Sequence, residues 1–336
     1  MPRTVLVIIS AIFLIITVGL SPIFSSIHAS PVTNNKIVII NFDDGRKTQF
    51  THAKPILDKY GFKATFYIVC NYVDNKKGFM TWEEIETLNK EGHDIGSHTM
   101  NHLHLSNLSK KDIEYEVGQS KKCLDDHGIK ATSFAYPFND GSNNKKTFKI
   151  VSKYYQLARV GNNPITYLSC DGLKVPSVQR DCKTYSNAHY LTYANKFTIS
   201  AWSHDFSRMV NAYNDAGQFK RFIEVVNSQD KYNEGGLINE IPIIIYHRVG
   251  EADAVDYNTD LKLFKKEMKY LYDNGFTVLT MADLAYDDKA NHIYIKQFHE
   301  QGVSGKIAGA SENNPTQFRL FQDIEKAIYF LTIRLM

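Results

Sequence analysis

Two short stretches of this 336-residue chain have residue types and spacing suited to hydrolytic chemistry. Asn41-Phe42-Asp43-Asp44-Gly45 sets adjacent carboxylates at the end of an apolar, β-branched run, followed by a glycine that permits a sharp turn. Neighbouring side chains on an extended strand point to opposite sides, so the two acids can meet in one site only if the backbone bends there. Taken alone, the motif reads as an ordinary Asp-Gly turn. His98-Thr99-Met100-Asn101-His102 places two imidazoles four residues apart, directly behind the short strand signal Asp94–Ser97. On one helical turn, positions i and i+4 share a face, so both rings are expected to grip one ion. Two imidazoles and a carboxylate leave coordination positions open, as a catalytic metal site requires.

Together, F-D-D-G and G-S-H-T-M-N-H resemble the first motifs of the polysaccharide deacetylases with a NodB-homology domain, carbohydrate esterase family 4. The resemblance implies Asp43 as catalytic base and Asp44, His98 and His102 as metal ligands. Phe134-Ala-Tyr-Pro-Phe138 resembles the third motif of that family, in which the backbone N–H matching Phe138 helps to hold an oxyanion. Tyr136 and Pro137 would then face substrate; the blander reading is a proline loop that merely packs a pocket wall. Ala135 stands where the family carries an arginine that pairs with the catalytic acid, and Asn139 where it carries a glycine. Arg159, behind a later strand, is the candidate replacement on the substrate side, with a plain surface charge as the competing reading. Pro242-Ile-Ile-Ile-Tyr-His247-Arg-Val resembles the last motif, which presents a histidine as general acid. A histidine in an apolar run is more often a satisfied core residue, but this one sits at a strand end. The resemblance covers Lys36 to Tyr286.

The implied reaction is hydrolysis of an acetyl amide or ester on a glycan. A divalent metal lowers the pKa of its bound water towards about 7, within reach of Asp43, while His247 protonates the departing amine. Zinc is the first choice of ion, with cobalt or iron suiting the same donors. One competing expectation is a catalytically silent carbohydrate-binding module on the same scaffold, favoured by Ala135 and Asn139. Another is a phosphoesterase, which would ordinarily carry enough ligands for a second metal.

These residues need a scaffold that brings several strand ends to one place. Strand and helix signals alternate from Lys36-Ile-Val-Ile-Ile-Asn-Phe42 onward, with helices over 52–60, 81–91, 109–127, 145–155, 219–227 and 261–274, and strands between them. Thr81 and Glu84 form a capping-box pattern. Residues 164–207 give no readable order, and Met281–Tyr286 reads as a last helix. This pattern, without internal repeats, predicts a single deformed α/β barrel over 36–286; a doubly wound open sheet is the alternative. The barrel is preferred because every chemically interesting residue follows a strand. Residues 30–35 read as a linker and 287–336 as a C-terminal appendage.

Arg3, the apolar run Val5–Leu20 and the small-residue site Ile27-His28-Ala29 read as an export segment over 1–29, either cleaved as a signal peptide or retained as a membrane anchor. The expected location is therefore extracellular or at the cell surface, and a monomer is expected. A net charge of +3 gives no reason to invoke a nucleic-acid partner. Four cysteines fit an oxidising compartment, and Cys170 with Cys182 is a candidate bridge; no C-x-x-C is present for cysteine-based metal or redox chemistry.

Overall fold

Alternation along β1 (Ile37–Phe42) sorts its side chains into two cores. Ile37 and Ile39 pack with Tyr67, Ala135, Leu157, Ile199, Ile241 and Ile243, whereas Val38, Ile40 and Phe42 pack with residues of the surrounding helices. A strand apolar on both faces belongs in a parallel sheet covered on both sides. The computed structural model describes residues 35–161, 165–167, 195–211, 213–233, 238, 240–251, 256–287 and 292–296.

After β1 come α1 (Lys54–Lys59), β2 (Thr65–Ile68), α2 (Trp82–Lys90), β3 (Asp94–Ser97), α3 (Lys110–Glu114), α4 (Ser120–Asp126) and β4 (Ser133–Ala135). Then follow α5 (Lys145–Tyr154), β5 (Leu157–Val160), β6 (Ile165–Tyr167), β7 (Ile199–Ser200), β8 (Trp202–Ser203), α6 (His204–Val210), α7 (Asp215–Asn227) and β9 (Glu240–Tyr246). The described chain ends with β10 (Arg248–Val249), β11 (Asn258–Thr259), α8 (Leu261–Asp273), β12 (Thr277–Leu279), β13 (Leu284–Asp287) and β14 (His292–Ile295).

The sheet is parallel from β1 through β2, β3 and β4 to β5, and it returns on itself. β7 and β8 are separated by Ala201 alone: the first half of this bent strand pairs with β5, the second with β9. β9 in turn pairs with β1, from Ile39↔Ile243 to Phe42↔Tyr246. The first core fills the barrel and the second lies between barrel and helices. The expected (β/α) barrel is what forms, and the open sheet is excluded. The closing strand lies in the stretch whose order was unreadable, because two residue pairs on each side of Ala201 are too short to show a period.

Local signals explain most boundaries. The Thr81–Glu84 capping box is formed in both directions at the start of α2. Ser109 caps α3, and helical structure continues through a wider turn at Tyr115–Gln119 into α4. The expected last helix is not there: Met281–Asp283 makes one tight turn, and β13 then pairs antiparallel with β14. Its few apolar positions serve a two-stranded ribbon as well as a helix. Cys70, just past β2, is bridged to Cys123 in α4. The candidate partners Cys170 and Cys182 lie outside the described residues, as do the N-terminal segment and the tail beyond 296. No helix among the described residues is long and apolar enough to cross a membrane.

The Cys70–Cys123 bridge closes a sequence separation of 53 residues. Loop-closure entropy for such a span is worth up to about 4 kcal/mol. Reduction, or Cys123→Ser, is therefore expected to lower the urea midpoint of unfolding markedly; an unchanged midpoint would show that the unfolded chain is not restrained by this bridge.

Candidate active site

The C-terminal ends of β1, β3, β4, β5 and β9 open into a cavity of about 520 Å³. Barrel sites gather at this end because loops there can carry chemistry while strands hold them rigid. Asp43, Asp44, His98, His102, Arg159 and His247 all line it. A wider depression of about 650 Å³ between Lys110 and Tyr154 holds no comparable cluster.

The adjacent acids reach one site through a backbone reversal. The Asp43 N–H still donates to Tyr246 O at 2.9 Å in the barrel ladder. Asp44 then adopts φ 74° and Gly45 φ 73°, left-handed geometry that Asp tolerates better than most residues and Gly adopts freely. Gln49 secures the turn by donating to Asp43 O at 2.5 Å and to His247 O at 2.7 Å, which ties the ends of β1 and β9 together.

Helical spacing does not explain the two histidines. Residues 98–102 form a loop, with φ 72° at Thr99 and 58° at His102. The backbone N–H groups of Met100 and Asn101 both donate to the buried Glu116 carboxylate, at 3.1 and 2.9 Å. His102 N–H donates to Thr99 Oγ1 at 2.9 Å. The rings nevertheless converge, because Glu116 pegs the loop from behind. Cys70 N–H donates to Thr99 O, so the disulfide braces the same loop.

His98 donates Nδ1–H to Ala135 O at 2.8 Å, since a carbonyl can only accept, and this leaves Nε2 with a free lone pair. That atom lies 3.8 Å from Asp44 Oδ1, and His102 Nε2 lies 3.3 Å from the same oxygen. One donor atom from each of Asp44, His98 and His102 lies within 4.8 Å of the others. Burial lowers the pKa of His98; burial, reinforced by the neighbouring His98, lowers that of His102 to about 4. Both rings are thus neutral at pH 7, the state that ligates. For Asp44, burial alone would raise the pKa. The positive charges of His247 and Arg46, joined by His102 and His98 once these are protonated in the acid range where Asp44 titrates, outweigh it and hold the carboxyl well below the usual range. Arg46 reaches Asp44 Oδ2 at 3.1 Å, leaving Oδ1 to the histidines. The donor set fits a divalent cation with open positions.

Asp43 divides its oxygens differently. Oδ1 accepts from Arg159, while Oδ2 faces His98 Nε2 at 3.9 Å and His247 Nε2 at 4.0 Å. Arg159 is only 1% exposed and its guanidinium lies over the Tyr67 ring, so the surface-charge reading falls. Arg159 is the register partner of Ala135 across β4 and β5. Arg159 thus stands one strand over from Ala135 and meets Asp43 from inside the barrel.

His247 lies beyond the end of β9. Its Nδ1 is 2.9 Å from Asp205 Oδ1, and its backbone N–H donates to Asp205 Oδ2 at 2.8 Å. Burial would lower the pKa of this ring. The Asp205 charge and hydrogen bond, helped by Asp44 and Asp43, instead raise it to about 9. Tyr257 covers the other side of the ring, edge-on at 4.9 Å. Asp205 escaped the sequence reading because it lies in the unordered stretch, one residue into α6; a carboxylate just past a short apolar run was its only signal.

Phe138 and Asn139 are both left-handed, with φ 56° and 60°. Asparagine tolerates that geometry, which accounts for its standing in a glycine position. Its Oδ1 accepts from Gly161 N–H at 2.5 Å. Phe138 is 54% exposed and stacks on His104. Tyr136 is buried at the cavity wall, whereas Pro137 is buried without lining it.

Residues 30–156 match the profile of the family described as Polysaccharide deacetylase. The likeness to that family is carried by these residues. The chain is 34% identical over 121 residues to YxkH of Bacillus subtilis, covering 36% of this chain and 42% of that protein. It is 37% identical over 90 residues to a peptidoglycan-N-acetylglucosamine deacetylase of Bacillus cereus, covering 26% of this chain and 40% of the other. The chain thus spans about two fifths of the length of these relatives. Among solved structures, a family 4 carbohydrate esterase from Streptomyces lividans in complex with acetate is 12% identical, with a TM-score of 0.47 over 78% of this chain and 98% of that one.

The Asp205 contact has a direct consequence. In wild type the His247 ring is expected to keep its proton until about pH 9. In Asp205→Asn the largest raising influence is gone, so titration moves down towards the ordinary imidazole value of about 6.5. Histidine NMR of the metal-free protein measures this; an unmoved titration would mean that Asp205 does not govern the ring.

Proposed function

We propose that this protein is a metal-dependent hydrolase that removes acetyl groups from an N-acetylated polysaccharide. One observation carries the reading: a ligand set of ionised Asp44 and neutral His98 and His102 shares a cavity with Asp43 and, across from it, a protonated His247. Simple sugar binding needs neither an acid–base pair nor a buried arginine directed at one member of it. The curated relatives named as deacetylases of peptidoglycan and chitin support an amide on a glycan as the bond cleaved.

Asp44, His98 and His102 would hold the cation, zinc by preference and cobalt or iron as alternatives. When bound, it would supply Lewis acidity, polarising the acetyl carbonyl and making a water molecule more acidic. Arg159 occupies Asp43 Oδ1 and so aims Oδ2 into the cavity, where it takes the proton of the attacking water. The water oxygen bonds to the carbonyl carbon, and the backbone N–H of Phe138 steadies the negative oxygen. His247, held by Asp205 on its Nδ1 side, presents Nε2 to the amide nitrogen. It donates a proton as the C–N bond breaks, since an unprotonated amine leaves poorly. Acetate and the free sugar amine result.

We place this activity outside the cell, with residues 1–29 as signal peptide or anchor. The Cys70–Cys123 bridge supports that, because such bonds persist in oxidising compartments. A polymeric glycan substrate fits the same location.

The test is acetate release by metal-loaded protein across a panel of N- and O-acetylated glycans. N-acetylated glycans are expected to react, chelation to abolish the reaction and zinc to restore it. Asp43→Asn should cost roughly 10²- to 10⁴-fold in kcat, the usual range for a general base. Binding of the glycans without acetate release, in protein shown to hold its metal, would make this a carbohydrate-binding module instead.

A further inference from the structure

Directly behind the His247–Asp205 couple lies a second polar cluster, sealed from solvent. Glu267 of α8 and His204 at the start of α6 are both fully buried. Glu267 Oε1 is 2.7 Å from His204 Nε2, and Oε2 accepts from Tyr246 Oη at 2.9 Å. His204 Nδ1 meets Thr259 Oγ1 of β11 at 3.2 Å, and its carbonyl accepts from Gln218 of α7 at 2.8 Å. One carboxylate therefore links α6, β9 and β11 across their outer faces.

The neighbours in sequence give this cluster its meaning. His204 immediately precedes Asp205, and Tyr246 immediately precedes His247. Consecutive residues in extended backbone face opposite ways, so His247 looks into the cavity while Tyr246 looks out at Glu267. A shift of Tyr246 or His204 must carry its neighbour with it. Stability alone does not call for such a group. The surroundings are aromatic, with Phe264 edge-on to Tyr246 at 5.1 Å, and apolar residues commonly replace buried ionic groups without loss of stability. With Glu267, His204 and Tyr246 all hydrogen-bonded, what such a cluster adds over an apolar one is a single fixed geometry.

We infer that Glu267, held between His204 and Tyr246, is a positioning residue that sets the distance and angle between Asp205 and His247. The inference rests on the reading of His247 as proton donor. Glu267 touches neither substrate nor metal ligands and acts only through the two backbones it joins. Asp205, Asp43, Asp44 and Tyr257 are the polar groups that face His247 itself, and Glu267 places the first of these.

The experiment compares wild type with Glu267→Leu, Glu267→Gln and Tyr246→Phe. Two quantities are read: the hydrogen-bonded Nδ1–H resonance of His247 in the metal-free protein, and kcat and KM of the zinc-loaded protein. Glu267→Leu and Tyr246→Phe are expected to shift or broaden that resonance and to lower kcat by about 10- to 100-fold with KM and zinc content unchanged, the cost of a small misplacement. Glu267→Gln, which keeps shape and an acceptor, should recover part of both. If Glu267→Leu does not fold, Tyr246→Phe, lacking only one hydroxyl, carries the test. A folded Glu267→Leu or Tyr246→Phe protein with an unmoved resonance and unchanged kcat overturns the inference. A resonance that moves in these variants, in a protein whose wild type releases no acetate, upholds the positioning and overturns only the proposed reaction.

Discussion

Three carboxylates are buried around one cavity, and the fold there is organised so that none is left uncompensated. An unpaired charge removed from water costs several kcal/mol even after relaxation. Asp43 has Arg159, Asp44 has Arg46, and Asp205 has His247. Each pairing takes up one side of its carboxylate and leaves the other with a definite direction. The pairs also come from different strands. Arg159 reaches Asp43 only because β5 and β1 face each other across the barrel interior, and His247 reaches Asp205 only because β8 and β9 are neighbours. Closing the barrel is thus a condition of the charge balance as well as of the packing.

That balance separates the histidines by environment. His98 and His102 are buried with the cation-seeking face of Asp44, and burial keeps them neutral. His247 is enclosed about as far as His102, yet its own carboxylate partner reverses the effect of burial and keeps it charged. Three rings of one chemical type thereby fall into two protonation states, although His102 and His247 are similarly exposed, at 18% and 15%. Pairs of titratable groups pushed apart in this way are the usual mark of divided acid and base roles.

Much of this was legible in the sequence, for reasons that can be named. Asp43, Asp44 and His247 follow strands whose apolar runs are readable, and His98 follows the short strand signal Asp94–Ser97 with His102 four residues on, so their meeting at one barrel end could be expected. The (β/α) alternation was equally plain wherever helices carried caps, as at Thr81 and Ser109. The geometry inside the histidine loop was not. Spacing suggested a helical turn, whereas left-handed residues and a distant carboxylate, Glu116, create the convergence. Nothing local marks Glu116, because its role depends on where a later helix packs. Asp205 and Glu267 were hidden for the same reason: each acts on a residue far away in the chain, through a contact that exists only once the barrel is closed.

Arg159 shows how the demand at Asp43 is met in this chain. The requirement is a cation inside the barrel beside Asp43 Oδ1, and the chain position that supplies it is secondary. Ala135 and Arg159 are direct register partners, so moving the guanidinium from one strand to its neighbour displaces its root by a single strand spacing, about 4.8 Å. An arginine side chain is long enough to absorb that distance, and the Tyr67 ring gives its planar head a surface to lie on. Alanine at 135 in turn leaves room for the incoming side chain and still offers its carbonyl to His98. An arginine at 135 is therefore not needed to pair Asp43 Oδ1 with a buried guanidinium.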